Sequence, residues 1–84
     1  MNKYTLRNRI IQRLRRIQSE LNQTIADKRS WNDNRQDQPP FDLGWDIVML
    51  DAVTKHLEAW KANDMEAVNR CVDKMFQLAD ECFR

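Results

Sequence analysis

The residues best suited to bind a partner are six cations near the start of the chain. They are Lys3, Arg7, Arg9, Arg13, Arg15 and Arg16, and no acidic residue precedes Glu20. The planar guanidinium of arginine donates two parallel hydrogen bonds to a phosphate or a carboxylate. Residues 1–29 hold eight basic and two acidic side chains, whereas residues 43–84 hold five basic and eight acidic ones. This division gives one end of the molecule a positive field that attracts anionic partners.

Patterns typical of catalysis do not accompany these cations. His56 is the only histidine, and Cys71 and Cys82 lie eleven residues apart on one predicted helix, too far apart for a disulfide within it. One histidine and two cysteines fall short of a structural zinc site. Neighbouring carboxylates, such as Asp80 and Glu81, diverge on a helix. We predict a non-enzymatic protein without cofactor or metal, in which His56 is a partly buried aromatic with one hydrogen bond.

One family resemblance involves the basic segment. The pattern Leu6-Arg7-x-x-Ile10, with the arginines after it, resembles faintly, over one helix, the long first helix of small all-helical chorismate mutases. In that family such arginines clamp a dicarboxylate within a dimer. The pattern is common in amphipathic basic helices, and Gln77 lies off the apolar face of the last predicted helix. The prediction therefore stays non-enzymatic.

Hydrophobic spacing predicts that the basic segment is an amphipathic helix over residues 5–29, capped by Thr5. Its apolar residues recur every three or four positions: Leu6, Ile10, Leu14, Ile17, Leu21 and Ile25. On this helix Arg9, Arg13 and Arg16 lie along one flank of the apolar stripe, and Arg7 lies along the other.

Two more helices are predicted, over residues 43–62 and 64–82. Asp42 and Asn63 are the candidate N-cap residues. The short break at 62–64 favours a tight antiparallel turn, although a single helix from 43 to 82 is the alternative.

The middle helix is apolar over more than half of its circumference, which indicates more than one neighbour. We expect one all-α domain over residues 1–84, either an antiparallel three-helix bundle or a long helical hairpin. Because 84 residues cannot cover both apolar sides of the middle helix, we expect a homodimer to complete the fold.

Residues 30–42 are predicted to form a loop, because Asn, Asp and Pro dominate the segment. Trp31 and Phe41 lie at its two ends, Arg35 lies between them, and Trp45 follows. These aromatics have two interpretations. They cover the open end of the helical bundle, or they form a docking loop, since Trp and Arg are frequent hot spots of protein interfaces.

The function predicted from these features is that of a small adaptor, regulator or inhibitor. It would dock on a larger macromolecule through an Arg-rich helix and an aromatic-flanked loop, with a protein partner favoured. The predicted contact residues are Arg9, Arg13, Arg16, Trp31, Arg35 and Phe41. The alternative is a nucleic-acid-binding protein whose first helix contacts the phosphate backbone. We expect a cytoplasmic location without membrane contact, because the sequence contains neither a long apolar run nor a signal-peptide pattern.

Overall fold

Three α-helices make up the fold of the computed structural model, which describes residues 2–35 and 37–82. Helix α1 spans Lys3–Asn34, α2 spans Gly44–Lys61 and α3 spans Met65–Cys82. No strand occurs in these two ranges. The prediction of an all-α fold with three helices is confirmed, and α2 and α3 are separate helices.

The helices form a layer in which α2 lies in the middle. Helix α1 packs on one side of α2 and α3 on another, and no Cα atom of the described residues of α1 lies within 8 Å of a Cα atom of α3. The molecule measures 53 × 26 × 19 Å along its principal axes. The smallest extent, 19 Å, is less than the width of two helices with their side chains, each about 10–12 Å across. The three helices therefore form an open bundle, and the uncovered side of α2 carries the exposed residues Asp51, Lys55 and Glu58.

Helix α1 is longer than the predicted 5–29 at both ends. Asn2, rather than Thr5, is the N-cap, since its Oδ1 accepts a hydrogen bond from the Thr5 backbone N–H at 2.9 Å. At the other end, the first five residues of the predicted loop continue the helix. The reason is that Asn and Asp are tolerated on a solvated last turn, and the first proline comes only at position 39.

Two predicted N-caps are each displaced by one residue. The Asp42 carboxylate accepts a hydrogen bond from the Gly44 N–H at 2.8 Å, but Leu43 is the N-cap of α2. Before α3, Asp64 takes the capping role predicted for Asn63, because its Oδ1 accepts from the Ala67 N–H at 3.1 Å. Asn63 instead adopts φ 57°, a left-handed conformation that asparagine tolerates.

The core joins α1 to α2. Its buried residues are Ile11 and Leu14 from α1 and Val53 and Leu57 from α2, and Val53 is fully buried. Half-buried side chains from all three helices pack against this cluster: Ile10, Leu21, Trp60 and Met75. The apolar spacing of the sequence thus places one continuous core under α1 and along α2.

Candidate functional site

The aromatic residues at the ends of the predicted loop form a cluster beside the last turns of α1. The Trp31 and Phe41 ring centroids are 5.9 Å apart, with the ring planes tilted by 59°. The Arg35 guanidinium lies over the Trp31 ring, with Cζ 4.5 Å from its centroid. The Lys28 ammonium lies 5.8 Å from the Phe41 centroid. The cluster therefore combines two aromatic faces with two cations, an arrangement that cation–π attraction favours.

Asn32 holds this cluster in place. Its Oδ1 accepts a hydrogen bond from the Phe41 N–H at 2.7 Å, and its Nδ2 donates to the Phe41 carbonyl at 3.1 Å. One side chain thus satisfies both backbone groups of a residue nine positions away, and it returns the connecting segment to the end of α1. The geometry holds Phe41 against Trp31 without burying it, since Trp31 remains 36% exposed and Phe41 48% exposed.

Trp45 does not belong to this cluster as a ring partner. It lies in the first turn of α2 and is 41% exposed. Each of the three aromatic residues keeps more than a third of its surface exposed, and both interpretations, cover of the bundle end and docking loop, stay predictions.

The three arginines of the predicted contact set lie on the face of α1 that points away from α2. Arg9, Arg13 and Arg16 are all exposed. Arg16 donates to Glu20 at 3.3 Å, a pair that the i, i+4 spacing predicts. Within the described ranges, neither Arg9 nor Arg13 has a carboxylate within ion-pair distance.

The arginines and the aromatic cluster share one side of α1. Trp31 follows Arg13 by eighteen residues, which is five helical turns and about 27 Å. The two patches are therefore aligned but separate, and Glu20 and Asp27 lie on the same side between them. We call this side of α1, from Arg9 to Trp31 with the adjoining Arg35 and Phe41, the outer face.

A basic cleft on the opposite flank of α1 was not predicted. It is lined by Arg7, Asn8, Ile11, Gln12 and Arg15 of α1 and by Lys61 at the end of α2, and its volume is about 350 Å³. Arg7 is held in place, because its Nε donates to Asn63 Oδ1 at 2.8 Å and its Nη2 donates to the Lys61 carbonyl at 3.2 Å. Helical spacing places Arg7 on the other flank of the apolar stripe from Arg9, but the pairing of α1 with α2 decides that Lys61 lies beside it.

His56 is buried between α2 and α3. Its Nε2 accepts a hydrogen bond from the Trp60 indole N–H at 3.1 Å, and its Nδ1 lies 3.2 Å from the Met75 sulfur. An accepting Nε2 places the proton on Nδ1, so this geometry holds a neutral imidazole. Burial lowers the pKa of His56 below its ordinary value near 6.5. His56 is thus a buried side chain that accepts a hydrogen bond from Trp60, which agrees with the predicted packing role.

The other side chains that could react or bind a metal are dispersed over the molecule. Cys71 is half-buried, Cys82 is exposed, and both are free thiols. In the part of the chain that the structure describes, no group of three histidine, cysteine or acidic side chains is arranged to hold a metal ion. Nor does any described helix combine the length and apolar character needed to cross a membrane.

Comparison of the chain with models of protein families, with curated protein sequences and with solved structures finds no match. The proposals below therefore depend on the geometry of this molecule.

Proposed function

We propose that this protein is a small non-enzymatic adaptor, regulator or inhibitor that docks on a larger protein through the outer face of α1. The observation that carries the proposal is the Asn32 clamp, which holds Phe41 beside Trp31 while both rings stay exposed. Two hydrogen bonds that position exposed aromatics prepare them for a partner, since little side-chain freedom is then lost on binding. Trp and Arg at such positions are frequent hot spots.

The charge of the outer face indicates the chemistry of the partner. Arg9, Arg13 and Arg35 are exposed cations, and the first two have no carboxylate partner among the described residues. We infer a partner with an acidic surface next to an apolar recess that accepts the indole of Trp31. The arginines would raise the association rate and set the orientation, while the aromatic pair would supply the desolvated contact.

The test begins with capture of a partner by the tagged full chain from nuclease-treated host lysate, followed by titration of the identified partner. Trp31→Ala should weaken binding by about 2 kcal/mol or more, as hot-spot residues do. Trp45→Ala is the matched control, because Trp45 is equally exposed but lies outside the cluster. Equal loss from both variants, or no loss from Trp31→Ala, would exclude the aromatic cluster as the docking site.

Nucleic-acid binding is the second candidate, and the exposed, unpaired state of Arg9 and Arg13 in the described structure favours it. A backbone-binding protein should lose affinity linearly on a log–log plot against salt, and replacement of these arginines should weaken binding to every sequence alike. Glu20 and Asp27 interrupt the outer face with negative charge, which favours the protein partner over a continuous phosphate strand.

The uncovered side of α2 supports the expected homodimer. Leu57 packs toward α1 and Ala52 lies beside α3. Because each residue turns the helix by about 100°, the sides of α2 that face α1 and α3 are about 140° apart around its axis. The narrower side of α2 between them carries the buried residues Val53 and His56, whereas the wider side carries the exposed residues Ile47, Val48, Asp51 and Glu58. The wider side is thus the one left open, and we propose that a second copy of the chain covers its apolar residues Ile47 and Val48.

Sedimentation equilibrium tests the homodimer. Val48→Asp should weaken it, because Val48 lies on the open side of α2 and is 43% exposed, so the new charge would lie in the contact between the two copies. A monomeric parent chain would overturn the proposal.

We also infer that the protein acts in the cytoplasm. Cys82 is an exposed free thiol, and exposed thiols persist in reducing compartments. Alkylation of intact cells followed by mass spectrometry measures whether Cys71 and Cys82 are reduced there, and oxidised cysteines would contradict this location.

A further inference from the structure

The basic cleft between α1 and the end of α2 carries an inference that is independent of the proposed docking function. The cleft brings together three cations, Arg7, Arg15 and Lys61, which are 54 residues apart in sequence at the widest. No carboxylate lines the cleft. Within the described part of the chain, none of these three cations forms an ion pair. Like charges repel when they are gathered on one surface, so an anion between them would be favoured.

Arg7 is prepared for such an anion. Its hydrogen bonds to Asn63 Oδ1 and to the Lys61 carbonyl use Nε and Nη2, which leaves Nη1 with both of its protons for a ligand. These bonds also place the guanidinium at the carboxyl end of α2, where it offsets the negative end of the helix dipole. The field inside the cleft is therefore positive despite the helix end beside it.

The other lining groups match a ligand with several oxygens. The amides of Asn8 and Gln12 add neutral donors next to Arg15, and Ile11 supplies an apolar wall. A tetrahedral oxyanion accepts hydrogen bonds in several directions at once and suits guanidinium donors. We propose that this cleft binds a phosphate monoester dianion, either as inorganic phosphate or as the terminal phosphate of a small organic molecule.

The cleft is separate from the outer face of α1. Arg15 lies two residues from Arg13 but points to the opposite flank of the helix, since two residues correspond to about 200°. Arg13 is therefore the matched control for Arg15, because it is an equally exposed arginine of the same helix outside the cleft. Arg7 is unsuitable for the test, because its replacement also removes contacts that join α1 to the turn between α2 and α3.

The experiment is titration calorimetry of the full chain at constant ionic strength with inorganic phosphate, phenyl phosphate and a single-stranded oligonucleotide. Saturable binding of either monoester species is expected, and the comparison between them separates a free anion from an organic phosphate. Arg15→Gln and Lys61→Gln should each weaken this binding about tenfold, which corresponds to one charge-assisted hydrogen bond. Arg13→Gln should leave it unchanged, with circular dichroism showing that all variants fold.

Three results would overturn the inference. One is the absence of saturable binding by either monoester at millimolar concentration. Another is an equal loss in Arg13→Gln and Arg15→Gln, which would indicate a general charge effect. The third is binding of the oligonucleotide alone, since a diester carries one charge per phosphate and would indicate a nucleic-acid surface instead.

Discussion

The two helix pairs in this molecule are held together in different ways. Helices α2 and α3 are joined by the short segment 62–64, whereas α1 and α2 are joined by the longer segment 35–43. Polar side-chain contacts occur at three levels along the α1–α2 pair: Arg7 with Asn63 and Lys61, Gln18 with Thr54, and Lys28 with Asp46. Between α2 and α3, the described side-chain contact of this kind is the one from His56 to Met75. A short turn fixes how two helices align along their axes. A long connection does not, so contacts between side chains must fix the alignment of α1 with α2.

The largest effect should come from the core of the α1–α2 pair. Leu57 is buried between α1 and α2. Leu57→Ala should lower the free energy of unfolding by about 3 kcal/mol, because it removes buried methyl groups and leaves a cavity. Leu78→Ala is the matched change on α3, where Leu78 is equally buried. Urea denaturation of both variants measures the comparison, and a larger loss at Leu78 would show that the α2–α3 pair is the stronger one.

The next effect concerns the ion pair that helps to set the α1–α2 register. Lys28 Nζ lies 2.7 Å from Asp46 Oδ2, and both side chains are mostly shielded from solvent. Lys28→Met should cost about 1–2 kcal/mol, since it leaves the Asp46 carboxylate without its partner in a partly buried position.

Lys55→Met is the control for Lys28→Met. The Lys55–Asp51 pair has a similar distance of 2.9 Å but is exposed, so its loss should cost less than about 0.5 kcal/mol. Chemical denaturation at low and high salt measures both variants. Equal costs, or a cost at Lys28 that disappears in salt, would show that the Lys28–Asp46 contact behaves as a surface pair and does not set the register.

Much of this comparison could be predicted from the sequence. The spacing of Ile10, Leu14 and Leu21 predicts the apolar side of α1, and the break near Asn63 predicts two separate helices, both as observed. These features depend on local periodicity. The longer α1 could not be predicted, because the preference of Asn and Asp for turns is weak compared with continuation of an existing helix.

The candidate sites also contain some features that local spacing predicts and others that depend on long-range pairing. The exposure of Arg13 follows from its flank on one helix, so sequence reasoning places it correctly. The Asn32 clamp and the meeting of Arg15 with Lys61 depend on how segments far apart in sequence pair. No local pattern encodes such pairing, which explains why the basic cleft was missed.

A smaller, pH-dependent effect distinguishes the α2–α3 pair. The unfolded chain binds a proton at His56 more readily than the native chain, because burial lowers the native pKa. Protonation of His56 therefore does not lower the free energy of unfolding above about pH 6.5. Below that value the free energy of unfolding falls as the pH decreases, by at most about 1.4 kcal/mol per pH unit for one proton. Protonation of Nε2 would also remove the acceptor for the Trp60 N–H.

His56→Gln should reduce this dependence between pH 6.5 and 5, where carboxylates still contribute little. Thermal melts followed by circular dichroism at several pH values measure it. If the melting temperature of His56→Gln depends on pH as strongly as that of the parent chain, another group causes the pH dependence. The α2–α3 pair would then have no titrating contact at His56.

The smallest effect should come from Asn63, the residue at which the two helix pairs meet. Asn63 adopts φ 57° in the turn before α3, and its Oδ1 accepts from Arg7 of α1. Asn63→Gly should change stability by less than about 0.5 kcal/mol, because glycine favours the left-handed conformation but loses the bond to Arg7. Asn63→Ala should cost about 1 kcal/mol, because it loses both advantages. Urea denaturation of the two variants thus separates the turn from the side-chain contact. If Ala and Gly are equally destabilising, the contact with Arg7 dominates, and the register of α2 and α3 does not depend on the turn conformation.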